Sequence, residues 1–245
     1  NKFMHESPPA SADTATRPID SGHYKSSLIE LGCVLVQGVI TKAQVETLAG
    51  SLAVDTGRAG ARRMLGSNPI VDELCHHGEL KELASVFLGC GAFPVRCILF
   101  DKTPEANWRV PWHQDLAIPV KERIECEGFG GWSQKAGVWH VHPPARILAG
   151  MVTLRLHLDD CPESNGPLQI LPGSHRQGIL SNEEVSHWKT SVGPVICAAV
   201  AGDVLVMRPL VLHASSPSQN AKHRRVLHVE YAVEELPGRL EWAEG

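Results

Sequence analysis

From Phe93 onward the chain breaks into short apolar runs of strand length, punctuated by proline and glycine: Val95–Phe100, Met151–Leu158, Leu168–Leu171, Val195–Val200, Asp203–Met207 and Val226–Ala232. No helical periodicity separates them, so a βαβ architecture is disfavoured and an antiparallel sandwich or barrel is expected. The first 90 residues read differently. Asp20 or Ser21 can cap a helix carrying Tyr24, Leu28 and Leu31, with Gly32 as its stop. A strand follows at Cys33–Val36, Thr41 caps a second helix with Val45, Leu48 and Leu52 on one face, and a third helix is expected from about Gly78 to Leu88. The predicted class is α+β, mainly β, with N-terminal helices packed outside one sheet of a jelly roll.

A chain of 245 residues with 43% hydrophobic side chains can bury a core without external staples. Seven cysteines, odd in number and without a C-x-x-C pair, fit neither a disulfide framework nor a zinc ribbon, and predict a reduced, cytoplasmic protein. The net charge of −4 is spread without like-charge runs, which argues against a nucleic-acid partner. No apolar stretch has membrane-span length and no signal peptide is apparent. Residues 1–18, rich in Ser, Pro, Ala and Thr, are expected to form a flexible tail, with Met4 as a native start behind vector-derived residues. Residues 19–245 then form a single domain. Within it, an aperiodic insert at about 120–148 reads as a functional loop or lid.

Strand parity sorts side chains by face. In Met151–Leu158 the residues Val152, Leu154, Leu156 and Leu158 share one face, opposite Met151, Thr153, Arg155 and His157; later, Leu227, Val229 and Tyr231 oppose Arg224, Val226, His228 and Glu230. If the apolar faces lie under the helices, the polar faces line a lumen; parity alone equally allows them to meet solvent.

Phosphate-loop, nucleophile-elbow and zinc-helix motifs are absent. The prominent motif is Trp112-His113-Gln114-Asp115, because in extended chain His113 and Asp115 lie on one face and can reach one ion. His213, after the run Val204–Val206, supplies a third ligand. Two histidines and a carboxylate on one face of an octahedron leave three positions open, as non-haem Fe(II) needs to take up a cosubstrate and O₂. Arg224 follows His213 by eleven residues and offers a planar fork to the far carboxylate of a dicarboxylic cosubstrate. Parity selects Arg224 over Arg225, which falls on the Leu227 face.

With WHQD at 112–115, Leu158-Asp159-Asp160 leading to Asn165-Gly166-Pro167-Leu168, LPGSH at 171–175, Gly202-Asp203, and His213 followed by Arg224, the sequence resembles the phytanoyl-CoA dioxygenase-like branch of the Fe(II)/2-oxoglutarate oxygenases from about Leu31 to Ala232. The resemblance implies a double-stranded β-helix of jelly-roll, cupin-like type. It implies iron on His113, Asp115 and His213, 2-oxoglutarate on Arg224, and hydroxylation of a small molecule by O₂ with release of succinate and CO₂. Arg155 stands where several family members carry an aromatic residue; it can grip cosubstrate or substrate, or pair with Glu230. Lys102 sits where the family often has a lysine. Trp132, Trp139, His140 and His142 of the insert, with His157, are expected to meet the substrate, whose carboxylate or acyl character is left open. Two other readings compete: a non-catalytic metal- and ligand-binding sensor on the same barrel, and a zinc-dependent cupin-like enzyme, which would leave Arg224 unexplained.

Overall fold

Helix α1 (Ser21–Leu31) ends where Gly32 adopts φ +86°, and strand β1 (Cys33–Val36) follows. The structure is a computed structural model describing residues 21–52, 60–103, 107–219 and 223–244, so the tail expected at 1–18 lies outside the described residues. Helix α2 (Lys42–Ser51) starts in a capping box: the Thr41 hydroxyl accepts from the Gln44 N–H while the Gln44 side chain accepts from the Thr41 N–H. Helix α3 (Pro69–His76) was not expected. Its signals are local, since Asn68 caps the Ile70 and Val71 N–H groups and Pro69 opens the first turn. Helix α4 (Glu79–Leu88) matches the predicted third helix.

The strands that follow are β2 (Gly60–Arg62), β3 (Phe93–Asp101), β4 (Val110–His113), β5 (Ile118–Val120), β6 (Gly130–Lys135), β7 (Val138–His142), β8 (Val152–His157), β9 (Leu168–Ile170), β10 (Val195–Cys197), β11 (Val204–Met207), β12 (His213–Ser215) and β13 (Arg225–Ala232). Two helices interrupt them, α5 (Ala145–Ala149) and α6 (Asn182–Ser191), so the expectation of strands without intervening helices is corrected. The strands form a six-stranded antiparallel sheet in the order β1-β11-β8-β13-β3-β2, a four-stranded sheet β10-β9-β12-β4 and a three-stranded sheet β5-β7-β6. The architecture is a double-stranded β-helix of jelly-roll type, mainly β with its helices outside.

Parity decides the layers. Val152, Leu154, Leu156, Leu227, Val229 and Tyr231 pack beneath Leu28, Val45, Leu48, Val71, Leu80 and Leu83 of the helices, each such side chain contributing roughly 1.5–3 kcal/mol by leaving water. The Tyr231 hydroxyl donates to the Cys75 carbonyl (2.9 Å), tying α3 to the sheet. The opposite face does not meet solvent: Thr153, Arg155, His157, His228 and Glu230 are all buried in the lumen. Its floor is apolar, built from Leu168, Ile170, Leu205, Met207 and Val211. The 120–148 segment contributes strands β6 and β7 and helix α5 over an apolar cluster that includes Val120, Val141, Leu148, Leu236 and Trp242. Its alternation is hidden because aromatic and histidine side chains occupy both faces. No helix among the described residues is long and apolar enough to cross a membrane.

Candidate active site

Antiparallel pairing of β4 with β12 places His113 directly opposite His213, their ring centroids 4.2 Å apart. Each ring is locked by the same local device. His113 Nδ1 lies 2.8 Å from the Pro111 carbonyl and His213 Nδ1 lies 2.9 Å from the Val211 carbonyl. A carbonyl only accepts, so Nδ1 carries a proton, and in the neutral ring Nε2 keeps its lone pair. Both Nε2 atoms point at Asp115, 3.6 Å from Oδ1 and Oδ2 respectively, beyond hydrogen-bonding distance. Asp115 is itself held by donation from its N–H to the Pro209 carbonyl (2.9 Å), and its Oδ2 is buried without a hydrogen-bond partner among the described residues.

Three ligand atoms therefore converge within 4.8 Å of one another; burial pushes His113 down, but the Asp115 carboxylate beside it more than offsets this and raises it. Burial pushes His213 down to about 4, favouring the neutral imidazole that ligates metals. Burial opposes ionisation of Asp115, but His213 and His113 beside it more than offset this and hold the carboxyl well below the usual range. Two imidazoles and a carboxylate with a stranded buried oxygen fit a divalent first-row ion. A second cluster, Asp115 with His228 and Glu230, has comparable spacing. There the lone pairs are already engaged: Arg155 donates to His228 Nδ1 (2.9 Å), His228 Nε2 donates to Glu230 (3.2 Å), and Arg96 pairs with Glu230. Of the roles open to Arg155, a direct pair with Glu230 is thus replaced by a contact through His228.

The second feature of the lumen is a group of buried cations. Lys102, fully buried, donates to the Ser215 hydroxyl (3.1 Å) and the Ser216 carbonyl (3.0 Å), and its ammonium lies 5.3 Å from the Trp108 ring centroid. Arg224 donates to the Gly166 carbonyl, while its Nε has no partner among the described residues. Gly166 sits at φ +58°, where a Cβ would come within 2.4 Å of the Ser216 carbonyl, so the turn presenting this carbonyl requires glycine. Burial, followed by the charges of Arg224 and Arg155, pushes Lys102 down to about 7; burial and Arg224 push Arg155 down to about 10. His157, buried with neither ring nitrogen hydrogen-bonded among the described residues, is pushed to about 3 by burial and by the same two arginines. It therefore stands beside the arginines of the cationic pocket.

Arg225 points the other way. Its N–H and guanidinium make three hydrogen bonds of 2.7–2.9 Å to Asp159. Trp132 and Trp139 meet edge to face (centroids 6.3 Å) and, partly buried, pack on the apolar cluster beneath the third sheet. His142 is exposed beside Gly131, and His140 is buried with Nδ1 3.0 Å from the Val138 carbonyl. Neither histidine joins the metal-competent groups. Ser215 and Arg96 were missed. Ser215 stands two residues after His213, so strand parity could have found it; Arg96 is visible only through its pairing across β3 and β13.

Among jelly rolls, a His-Asp-His set with free lone pairs facing a cationic pocket marks the 2-oxoglutarate-dependent non-haem iron dioxygenases. The chain belongs to the phytanoyl-CoA dioxygenase (PhyH) family, whose profile matches residues 30–226. It is 24% identical over 210 residues to L-proline trans-4-hydroxylase of Streptomyces griseoviridis, covering 74% of this chain and 70% of that one. It is 28% identical over 144 residues to a probable alpha-ketoglutarate-dependent hypophosphite dioxygenase of Stutzerimonas stutzeri, covering 53% of this chain and 42% of that one. In fold it is similar to the epimerase SnoN solved with Fe3+, alpha ketoglutarate and nogalamycin RO: TM-score 0.67, 16% identity, 91% of this chain and 92% of that one. The chain is an oxidoreductase of the 2-oxoglutarate-dependent dioxygenase class, using Fe(II), 2-oxoglutarate and O₂.

Proposed function

We propose that His113, Asp115 and His213 hold the iron, that Arg224 anchors the distal carboxylate of 2-oxoglutarate with Lys102 and Ser215, and that the enzyme hydroxylates a small molecule. The observation that carries this reading is the pairing of three converging lone pairs with three buried cations, Lys102, Arg155 and Arg224, that repel one another. A dicarboxylate neutralises such a pocket, and Arg224 can meet one carboxylate through two parallel hydrogen bonds. Zinc chemistry needs no such pocket, and a sensor needs no oxidisable cosubstrate. Seven free cysteines support a reducing, cytoplasmic setting.

Bound together, Fe(II), 2-oxoglutarate and O₂ supply an oxidant able to take hydrogen from an unactivated C–H bond, with succinate and CO₂ as coproducts. The protein's part is placement. The Nδ1–H bonds to Pro111 and Val211 fix ring rotation, the Pro209 carbonyl fixes Asp115, and the apolar floor excludes water from beneath the site. Anaerobic titration with Fe(II) and then 2-oxoglutarate tests the reading: a visible charge-transfer band is expected only after both additions, followed by succinate formation in air. Iron binding without a band on adding 2-oxoglutarate would sink it.

Lys102 gives a pH signature. Its ammonium, held at about 7 by burial and two arginines, regains its proton when a dianion neutralises the pocket. Binding above pH 7 therefore takes up a proton. Affinity for 2-oxoglutarate is full below about 7 and falls above it, by up to about tenfold per pH unit, until the raised bound-state pKa is passed. Dissociation constants measured from the band between pH 6 and 9 are expected to show this slope, and Lys102→Met to bind more weakly with a flat profile.

A further inference from the structure

Beyond the metal set, at the β2–β3 edge of the large sheet, the tip of the β6–β7 hairpin leans over a crevice lined by Arg62, Arg63, Arg96, Lys135, His140 and Glu244. Register gives its position. Arg62 stands opposite Ile98 and Arg96 opposite Glu230, so alternation puts Arg62 and Arg96 on the lumen side of the sheet. Along β13 the order runs from Arg224 in the cationic pocket, past His228, to Glu230. The crevice and the cosubstrate pocket thus lie toward opposite ends of the strand that passes the metal set. Arg96 links crevice to metal: it ion-pairs with Glu230, and a Glu230 oxygen lies within 4.8 Å of an Asp115 oxygen.

The crevice holds more positive charge than it can neutralise. Glu230 answers Arg96, but Arg62, Arg63 and Lys135 have no carboxylate in ion-pair contact among the described residues. Glu244 is the remaining acid, and burial pushes its carboxyl up. His140 adds no charge: burial, then Arg96, Lys135 and Arg62, push it down. Arg96 Nε is buried without a partner among the described residues. Arg63, a non-glycine residue at φ +59°, holds a strained left-handed backbone conformation. As it stands the crevice has room for no more than about one water, but Arg62, Arg63 and Lys135 at its rim are exposed side chains that can swing outward.

We propose that this crevice is the substrate anchor and that it takes an oxyanion, a carboxylate or a phosphate-type group, on Arg96, Arg62, Arg63 and Lys135. The remainder of the substrate then lies over Glu230 toward Asp115. The assignment to substrate rests on the metal-set reading above; anion binding in the crevice does not. Guanidinium forks suit such groups, and relief of cation crowding drives their entry. The enzyme's unidentified substrate is accordingly anionic at one end.

The test uses acetate and sulfate as probes on anaerobic protein loaded with Fe(II) and 2-oxoglutarate, which keeps the anions out of the cosubstrate pocket. Melting temperature is read against chloride at equal ionic strength. In the wild-type protein at least one probe is expected to stabilise saturably beyond chloride, and Arg62→Gln/Lys135→Gln to need about tenfold more anion for the same shift. A response to acetate alone assigns a carboxylate and a response to sulfate alone a tetrahedral oxyanion; either supports the proposal. Equal responses in the two proteins, or none beyond chloride, overturn it. The charge-transfer band in the same samples separates the two readings. Band formation with equal anion responses sinks the crevice alone, whereas a missing band with a variant-specific anion effect sinks the metal set alone. Band formation in the double variant also shows that it is folded.

Discussion

Asp115→Ala is expected to lose 2-oxoglutarate-dependent succinate formation by about three orders of magnitude or more, since several kcal/mol of metal-centred stabilisation go with the ligand. Asp115 supplies the one carboxylate among the described residues that both His113 and His213 pair with, each Nε2 standing 3.6 Å from one of its oxygens. Two neutral imidazoles left alone hold Fe(II) weakly and compete poorly with water. The same substitution is expected to leave the metal-free fold intact, because the side chain makes no hydrogen bond at its buried Oδ2 and anchors through its backbone N–H. Loss of activity with an unchanged unfolding transition separates ligation from folding. Turnover within tenfold of wild type would remove Asp115 from the metal set.

Arg224→Gln is expected to weaken 2-oxoglutarate by about thirtyfold or more, the lower end of the 2–5 kcal/mol that truncating one partner of a buried charge pair costs. The lower end applies because Lys102 and Arg155 remain in the pocket. Arg225→Gln is the control: its guanidinium is committed to Asp159 outside the lumen, so it is expected to leave the dissociation constant within about twofold and to cost only modest stability. Titration of the charge-transfer band with 2-oxoglutarate in both variants decides between the arginines; a larger effect from Arg225 would invert the assignment.

Choosing between adjacent arginines required nothing beyond strand parity, and the reason is physical. A strand alternates faces with period two, and Leu227, Val229 and Tyr231 mark which face the helices cover. The same rule made the polar lumen legible as one of two readings; burial of Thr153, Arg155 and His157 decided between them. Local chemistry likewise placed α1, α2, α4 and the strands from Cys33 to Val36 and from Val204 to Met207 within one or two residues. Helix α5 and the third sheet were not legible, since their burial depends on apolar partners such as Leu236, Leu240 and Trp242 far along the chain; helix α6 buries no side chain and so carries no apolar periodicity to read.

What the amino-acid order determined by itself was the jelly-roll class, the metal-competent His113, Asp115 and His213, and Arg224 as the lumen arginine, because motif spacing and side-chain periodicity are local properties. Only the tertiary structure decided which ring nitrogen of His113 and His213 faces a backbone carbonyl, that Arg155 contacts His228 instead of Glu230, and that Trp132 and Trp139 pack on the core. It also assembled Lys102, Ser215 and Arg224 into one pocket, and Arg62, Arg96 and Lys135 into another. Those pairings join residues up to more than a hundred positions apart, and sheet register, which no local pattern encodes, brings them into contact.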